Sequence, residues 1–111
     1  MMISIETDTE GYVSLKTTIN EANLNNSEKF KAELTTLLDQ YHKKAVLDMS
    51  SIGYMDSSFL GALVSSLKHA IAIKTDILLV GLRPDIHNLF TLIRLDKVFK
   101  IYKTLNEAVA G

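Results

Sequence analysis

Two short, nearly uninterrupted apolar runs, Ala45-Val46-Leu47-Asp48-Met49 and Ile77-Leu78-Leu79-Val80, restrict the fold of this chain more than any other feature. A strand that does not alternate apolar and polar side chains must be covered on both faces, the condition of a central strand in a parallel sheet. Parallel neighbours cannot be joined by a tight turn, so the chain between them has to cross over. Leu60, Leu63, Val64, Leu67 and Ile71 recur in that interval at the spacing of one helix face. The pattern therefore predicts strand, crossover helix, strand.

The flanking segments extend this unit on both sides. Ile3 and Ile5 alternate with Ser4 and Glu6, and the period of two resumes at Tyr12-Val13-Ser14-Leu15 after Asp8-Thr9-Glu10-Gly11, which predicts an opening hairpin. A polar run over residues 17–26 leads into Phe30, Leu34, Leu37, Leu38 and Tyr41 at helical spacing, with Asn25 and Glu28 placed as a capping box. After the second apolar strand, Gly81 to Pro84 sets up a third helix from about Asp85, with Ile86, Leu89, Phe90 and Ile93 on its apolar face. Val98-Phe99-Lys100-Ile101-Tyr102 reads as a last short strand, and Thr104-Leu105-Asn106-Glu107 as a capping box opening a helix through Ala110. The expected architecture is α/β: one domain over residues 1–111, with a mixed, largely parallel sheet of about five strands and four helices.

Composition narrows the function. A length of 111 residues suits one domain with a real core, and the absence of cysteine removes disulfides and thiolate metal sites. A net charge of -1, without a basic cluster, argues against a nucleic-acid surface. The apolar stretch over residues 59–73 is broken by Ser65, Ser66, Lys68 and His69 and falls short of the ~20 residues of a membrane span. The first residues lack a secretory pattern, so a cytoplasmic protein without membrane insertion is expected. His42, His69 and His87 are isolated, and there is neither a Gly-x-Ser-x-Gly elbow nor a phosphate-cradling glycine loop. The expectation is a protein without metal or cofactor that is not an enzyme.

The most informative stretch is Tyr54-Met55-Asp56-Ser57-Ser58-Phe59-Leu60-Gly61, where a strand gives way to the crossover helix. Asp56 and Ser57 suit a helix N-cap, because a side-chain oxygen there accepts from the unpaired amides of the first turn. Measured from the centre of the apolar stripe, Ser57 lies ~60° away, Phe59 ~100° and Ser58 ~160°. Ser58 is thus expected to face solvent and Ser57 to lie near the core, while Phe59 reads equally as a packing residue or an exposed contact. A phosphate on Ser58 would sit at a helix N-terminus next to Asp56 and add ~1.5 to 2 negative charges. The same three residues also satisfy a bland reading as helix caps alone. Asp48 is expected to accept hydrogen bonds from amides of the loop after its strand.

Leu47-Asp48-Met49-Ser50, Met55-Asp56-Ser57-Ser58, Leu60-Gly61-Ala62-Leu63 and the segment from Leu95-Asp96-Lys97 to Tyr102 resemble the STAS-domain, anti-sigma factor antagonist family of bacteria. The resemblance spans nearly the whole chain. It implies a protein that binds an anti-sigma factor with serine-kinase activity and so frees a sigma factor for transcription. It also implies that phosphorylation of the second serine of the motif, Ser58, ends the binding and that a serine phosphatase restores it. The chain departs from the family at Phe59, where a glycine is usual, at Asn20, where an acid is usual, and at Arg94, where a glycine is usual after the third helix. The contact surface implied is Asn20, Glu21, Asp56, Ser57, Ser58 and Phe59. The alternative is a STAS interaction module of a lipid transporter or signalling assembly that works without phosphorylation.

Overall fold

The structure is a computed structural model that describes residues 1–110; the last residue of the expected domain, Gly111, lies outside them. In chain order the elements are β1 (Ile3–Asp8), β2 (Tyr12–Thr17), β3 (Glu21–Ala22), α1 (Leu24–Tyr41), β4 (Lys44–Asp48), β5 (Tyr54–Met55), α2 (Ser57–Ala72), β6 (Ile77–Val80), α3 (Pro84–Leu92), a 3-10 turn (Leu95–Lys97), β7 (Lys100–Tyr102) and α4 (Leu105–Ala110). The main sheet has the order β1-β2-β4-β6-β7, antiparallel at the opening hairpin and parallel thereafter.

The two apolar runs are the inner strands β4 and β6, as their composition requires. Ala45 stands opposite Val13 and Ile77, and Leu47 opposite Leu15 and Leu79. These side chains form the face on which Phe30 and Leu34 of α1, Phe59 and Leu63 of α2, and Ile86 and Phe90 of α3 pack. Full burial of each such side chain contributes ~1.5 to 3 kcal/mol, so this face holds most of the folding energy. The opposite face carries Val46, Leu78 and Val80 and is covered by α4 through Ala108 and Leu105. An additional two-stranded parallel pair, β3 with β5, lies outside the main sheet.

Two local expectations are corrected. The cap of α1 is Asn23, whose side chain accepts from the Asn25 amide at 2.9 Å while the Asn26 side chain accepts from the Asn23 amide at 2.9 Å, in place of Asn25 with Glu28. The helix starts earlier because this box lies two residues before the expected one, and its first amide, on Leu24, is also held by Asp56 from across the chain at 2.9 Å. The final strand is three residues and not five. Val98 and Phe99 both donate their amides to the Leu95 carbonyl, which curls them into a turn, and the Phe99 ring is buried 6.0 Å from that of Phe90.

Two further details bear on the sequence reading, one at a departure from the family and one at Asp48, which accepts as expected. Arg94 takes φ +64°, the left-handed conformation for which glycine is usual after a helix. Asp48 Oδ1 accepts from the Ser50 amide at 2.9 Å. Close by, Gly81 has φ +71°, and a Cβ there would stand 2.9 Å from Asp48 Oδ1, so both backbone conformation and space demand glycine.

Candidate functional site

The strand-to-helix stretch is fixed by a dense set of hydrogen bonds from the segment after β2. Ser51 Oγ donates to the Ile19 carbonyl at 2.7 Å and shares a 2.7 Å hydrogen bond with Thr17 Oγ1. The Gly53 amide donates to the Asn20 carbonyl at 2.8 Å, and Arg83 Nε donates to the Ser50 carbonyl at 3.0 Å. Pairing of Glu21 with Tyr54 and of Ala22 with Met55 then lays β3 against β5, so that exposed Asn20 and Glu21 flank Tyr54.

Asp56 joins the two helices that rise from this platform. Its amide donates to the Ala22 carbonyl at 2.9 Å; Oδ1 accepts from the Phe59 amide at 3.0 Å and Oδ2 from the Leu24 amide at 2.9 Å. One carboxylate therefore caps both α1 and α2. A cap of this kind contributes ~0.5 to 2 kcal/mol, and here it also sets where the two helix starts stand relative to each other. Asp56 was expected as a cap of α2; its hold on α1 depends on the fold.

The placement of the serines differs from the expectation. Ser57 is exposed and Ser58 is half-buried, the reverse of the order read from periodicity. The buried residues of α2 are Phe59, Leu60, Ala62, Leu63, Ser66, Leu67 and Ala70, which centre the buried stripe ~70° from the predicted one. Phe59 and Ser66 turn inward, whereas Ile71 is 59% exposed. Phe59 is the cause of the rotation: its ring is fully buried, 4.6 Å from that of Phe30 on α1. It belongs to the core, which removes it from the expected contact surface.

Neither Ser57 nor Ser58 makes a side-chain hydrogen bond among the described residues. Ser58 lines a shallow groove of about 320 Å³ between α1 and α2, with Leu24, Glu28 and Lys31 on one wall and Gly61 on the other. Leu24, 70% exposed, and Tyr54, 54% exposed, add two large apolar groups to this surface. Neither was assigned to the contact surface from the sequence, although Leu24 is an apolar interruption of the polar run and Tyr54 opens the stretch that carries the motif.

Gly61 stands one turn after Ser58 on α2, and a Cβ there would meet nothing within 4 Å. Glycine inside a helix is unfavourable by ~0.5 to 1 kcal/mol relative to alanine. Gly61→Ala is accordingly expected to raise stability by about that amount in urea unfolding, since no contact within the chain requires glycine. A loss of stability would show that α2 cannot accommodate the methyl group.

Among the described residues no helix is long and apolar enough to cross a membrane, and no group of three or more His, Asp or Glu side chains is placed to hold a metal ion. The chain is 29% identical over 90 residues to a Thermotoga neapolitana protein named as a candidate anti-sigma factor antagonist, a TM1081 homologue, with 80% of each chain covered. Its fold superposes on the crystal structure of the candidate anti-sigma factor antagonist TM1081 of Thermotoga maritima with a TM-score of 0.82 at 26% identity, covering 98% of this chain and 92% of the other. It also superposes on the phosphorylated form of the Bacillus cell fate determinant SpoIIAA with a TM-score of 0.68 at 19% identity, covering 97% and 96%, a likeness of fold. The STAS domain profile matches residues 5–108, with most of the hairpin, the parallel strands of the main sheet and the Asp56-Ser57-Ser58 junction among them, and the chain belongs to the STAS domain family.

Proposed function

We propose that this protein is a bacterial, cytoplasmic anti-sigma factor antagonist that works by binding and not by catalysis, with Ser58 as its switch. The observation that carries this reading is an uncommitted hydroxyl, Ser58, in the first turn of α2 at the wall of an open groove between two helices. The unmodified protein docks on an anti-sigma factor with serine-kinase activity through Asn20, Glu21, Tyr54, Asp56, Ser57 and the groove. The kinase transfers phosphate to Ser58 Oγ, and a serine phosphatase removes it. The names carried by the Thermotoga relatives support the antagonist role, and the phosphorylated form described for SpoIIAA supports a phosphate switch on this fold.

Helix geometry explains why the phosphate is tolerated by the antagonist yet opposes the complex. The first turn of α2 carries unpaired amides and the positive end of the helix dipole, which favour an anion. Glu28 and Lys31 line the groove and Asp56 caps the helix beside it, so the added charge turns a surface of mixed charge negative. Incubation with the cognate kinase and ATP is expected to place one phosphate on Ser58, located by peptide mass spectrometry. Phosphate on Ser57 alone, or on neither serine, overturns the assignment. The rival reading, an interaction module of a transporter or signalling assembly, loses Phe59 as a contact because that ring is buried.

A further inference from the structure

The face of the sheet opposite α1–α3 is closed by α4, which has six residues, and beside that helix lies an open cavity of about 410 Å³. This volume falls within the ~300 to 1,000 Å³ of small-molecule sites. Its apolar lining includes Val46 and Val80 of the inner strands and Leu105 of α4.

Ser14 also lines it. This side chain is 5% exposed, and its Oγ has no hydrogen-bond partner among the described residues. The other buried hydroxyls are engaged: Thr17 with the Asp48 carbonyl, Ser27 with the Leu24 carbonyl and Ser66 with the Ala62 carbonyl. A buried hydroxyl without a partner destabilises the chain, so Ser14 stands out as a polar group that the fold itself does not use.

The charges at the cavity select the ligand. Glu6, Asp48 and Lys103 line it, and none of them forms an ion pair among the described residues. Asp48 uses Oδ1 for the Ser50 amide and leaves Oδ2 without a hydrogen bond among the described residues. Ser14 stands opposite Val46, and Asp48 follows two residues later on the same face, a step of ~7 Å. Ser14 and Asp48 are thus diagonal neighbours on the cavity side of the sheet. Among the lining side chains two carboxylates face one ammonium, which favours a cation over an anion; Lys16, exposed and opposite Asp48 in the register, lies outside the lining.

We propose that this cavity binds a small primary amine with a compact apolar body. The body lies on Val46, Val80 and Leu105, and the ammonium donates to Ser14 Oγ and to the carboxylates of Asp48 and Glu6. The site is separate from the Ser58 surface and does not rest on the function assigned to it.

Titration of the 15N-labelled full chain with phenethylamine is expected to give saturable shifts of the Ser14, Val46, Val80 and Gly81 amides in the millimolar range of so small a molecule. The carboxylate of similar shape, 3-phenylpropionate, is expected to bind at least about fivefold more weakly, the size of one hydrogen bond or charge contact. Ser14→Ala is expected to weaken phenethylamine by about fivefold without lowering the thermal midpoint, because the hydroxyl has no protein partner to lose. Glu6→Gln, at an exposed position, is expected to weaken it as well. Absence of saturable shifts in this cluster, equal or tighter binding of 3-phenylpropionate, or Ser14→Ala with unchanged affinity or a lowered midpoint each overturns the proposal.

Discussion

Ser58→Asp is expected to weaken the complex with the anti-sigma factor by about a hundredfold or more, read by titration calorimetry. A hundredfold change corresponds to ~2.7 kcal/mol, within the several kcal/mol that like charges brought together at an interface cost. The same substitution is expected to leave stability within about 0.5 kcal/mol of the parent, or slightly raise it. The new carboxylate sits in the first turn of α2, where a negative charge gains from the helix dipole and the side chain is half-buried at a groove instead of packed in the core. Binding and stability therefore move independently, which separates a lost docking contact from a damaged fold. Ser58→Ala completes the set: it is expected to bind normally and to resist inactivation by kinase and ATP. A Ser58→Asp complex as tight as the parent's would favour the phosphorylation-independent module.

Phe59→Ala is expected to cost ~3 to 5 kcal/mol in denaturant unfolding, the range for truncating a buried aromatic ring. The ring is fully buried at 4.6 Å from Phe30, so its removal leaves a cavity between α1 and α2 at the point where Asp56 also ties them. Domains of this size are stable by ~5 to 15 kcal/mol in total, which makes this single loss a large fraction. Phe59→Leu, which keeps most of the volume, is expected to cost far less. Had Phe59 been a surface contact, truncation would leave stability nearly unchanged and reduce only partner affinity. The two readings are thus separated by one unfolding curve measured without any partner.

Most of the architecture was legible because it depends on patterns that short-range chemistry enforces. Strands β4 and β6 had to be inner because neither has a polar face, and α2 had to cross between them. The hairpin and α3 from Pro84 followed from turn and capping preferences that act over a few residues. What the sequence misplaced was decided by which of several competing local signals the tertiary packing uses. At the start of α1 the local capping box of Asn23 with Asn26 is joined by Asp56, thirty-two positions away from Leu24. Val98 and Phe99 turn onto the Leu95 carbonyl, which brings the Phe99 ring beside that of Phe90.

The candidate site divides in the same way. By itself the sequence determined that Asp56, Ser57 and Ser58 begin a helix at the end of a strand, since capping is a contact within one turn, and it pointed to the family in which the second serine matters. Only the tertiary structure decided which side of that helix is buried. Packing of Phe59 against Phe30 rotates the stripe, exposes Ser57, leaves Ser58 at the wall of a groove and withdraws the aromatic ring from the surface. Helical periodicity restricts where a buried face lies but not which of two overlapping apolar stripes is used. That choice belongs to the partner helix, because the stripe that fills space on both sides removes more apolar surface from water.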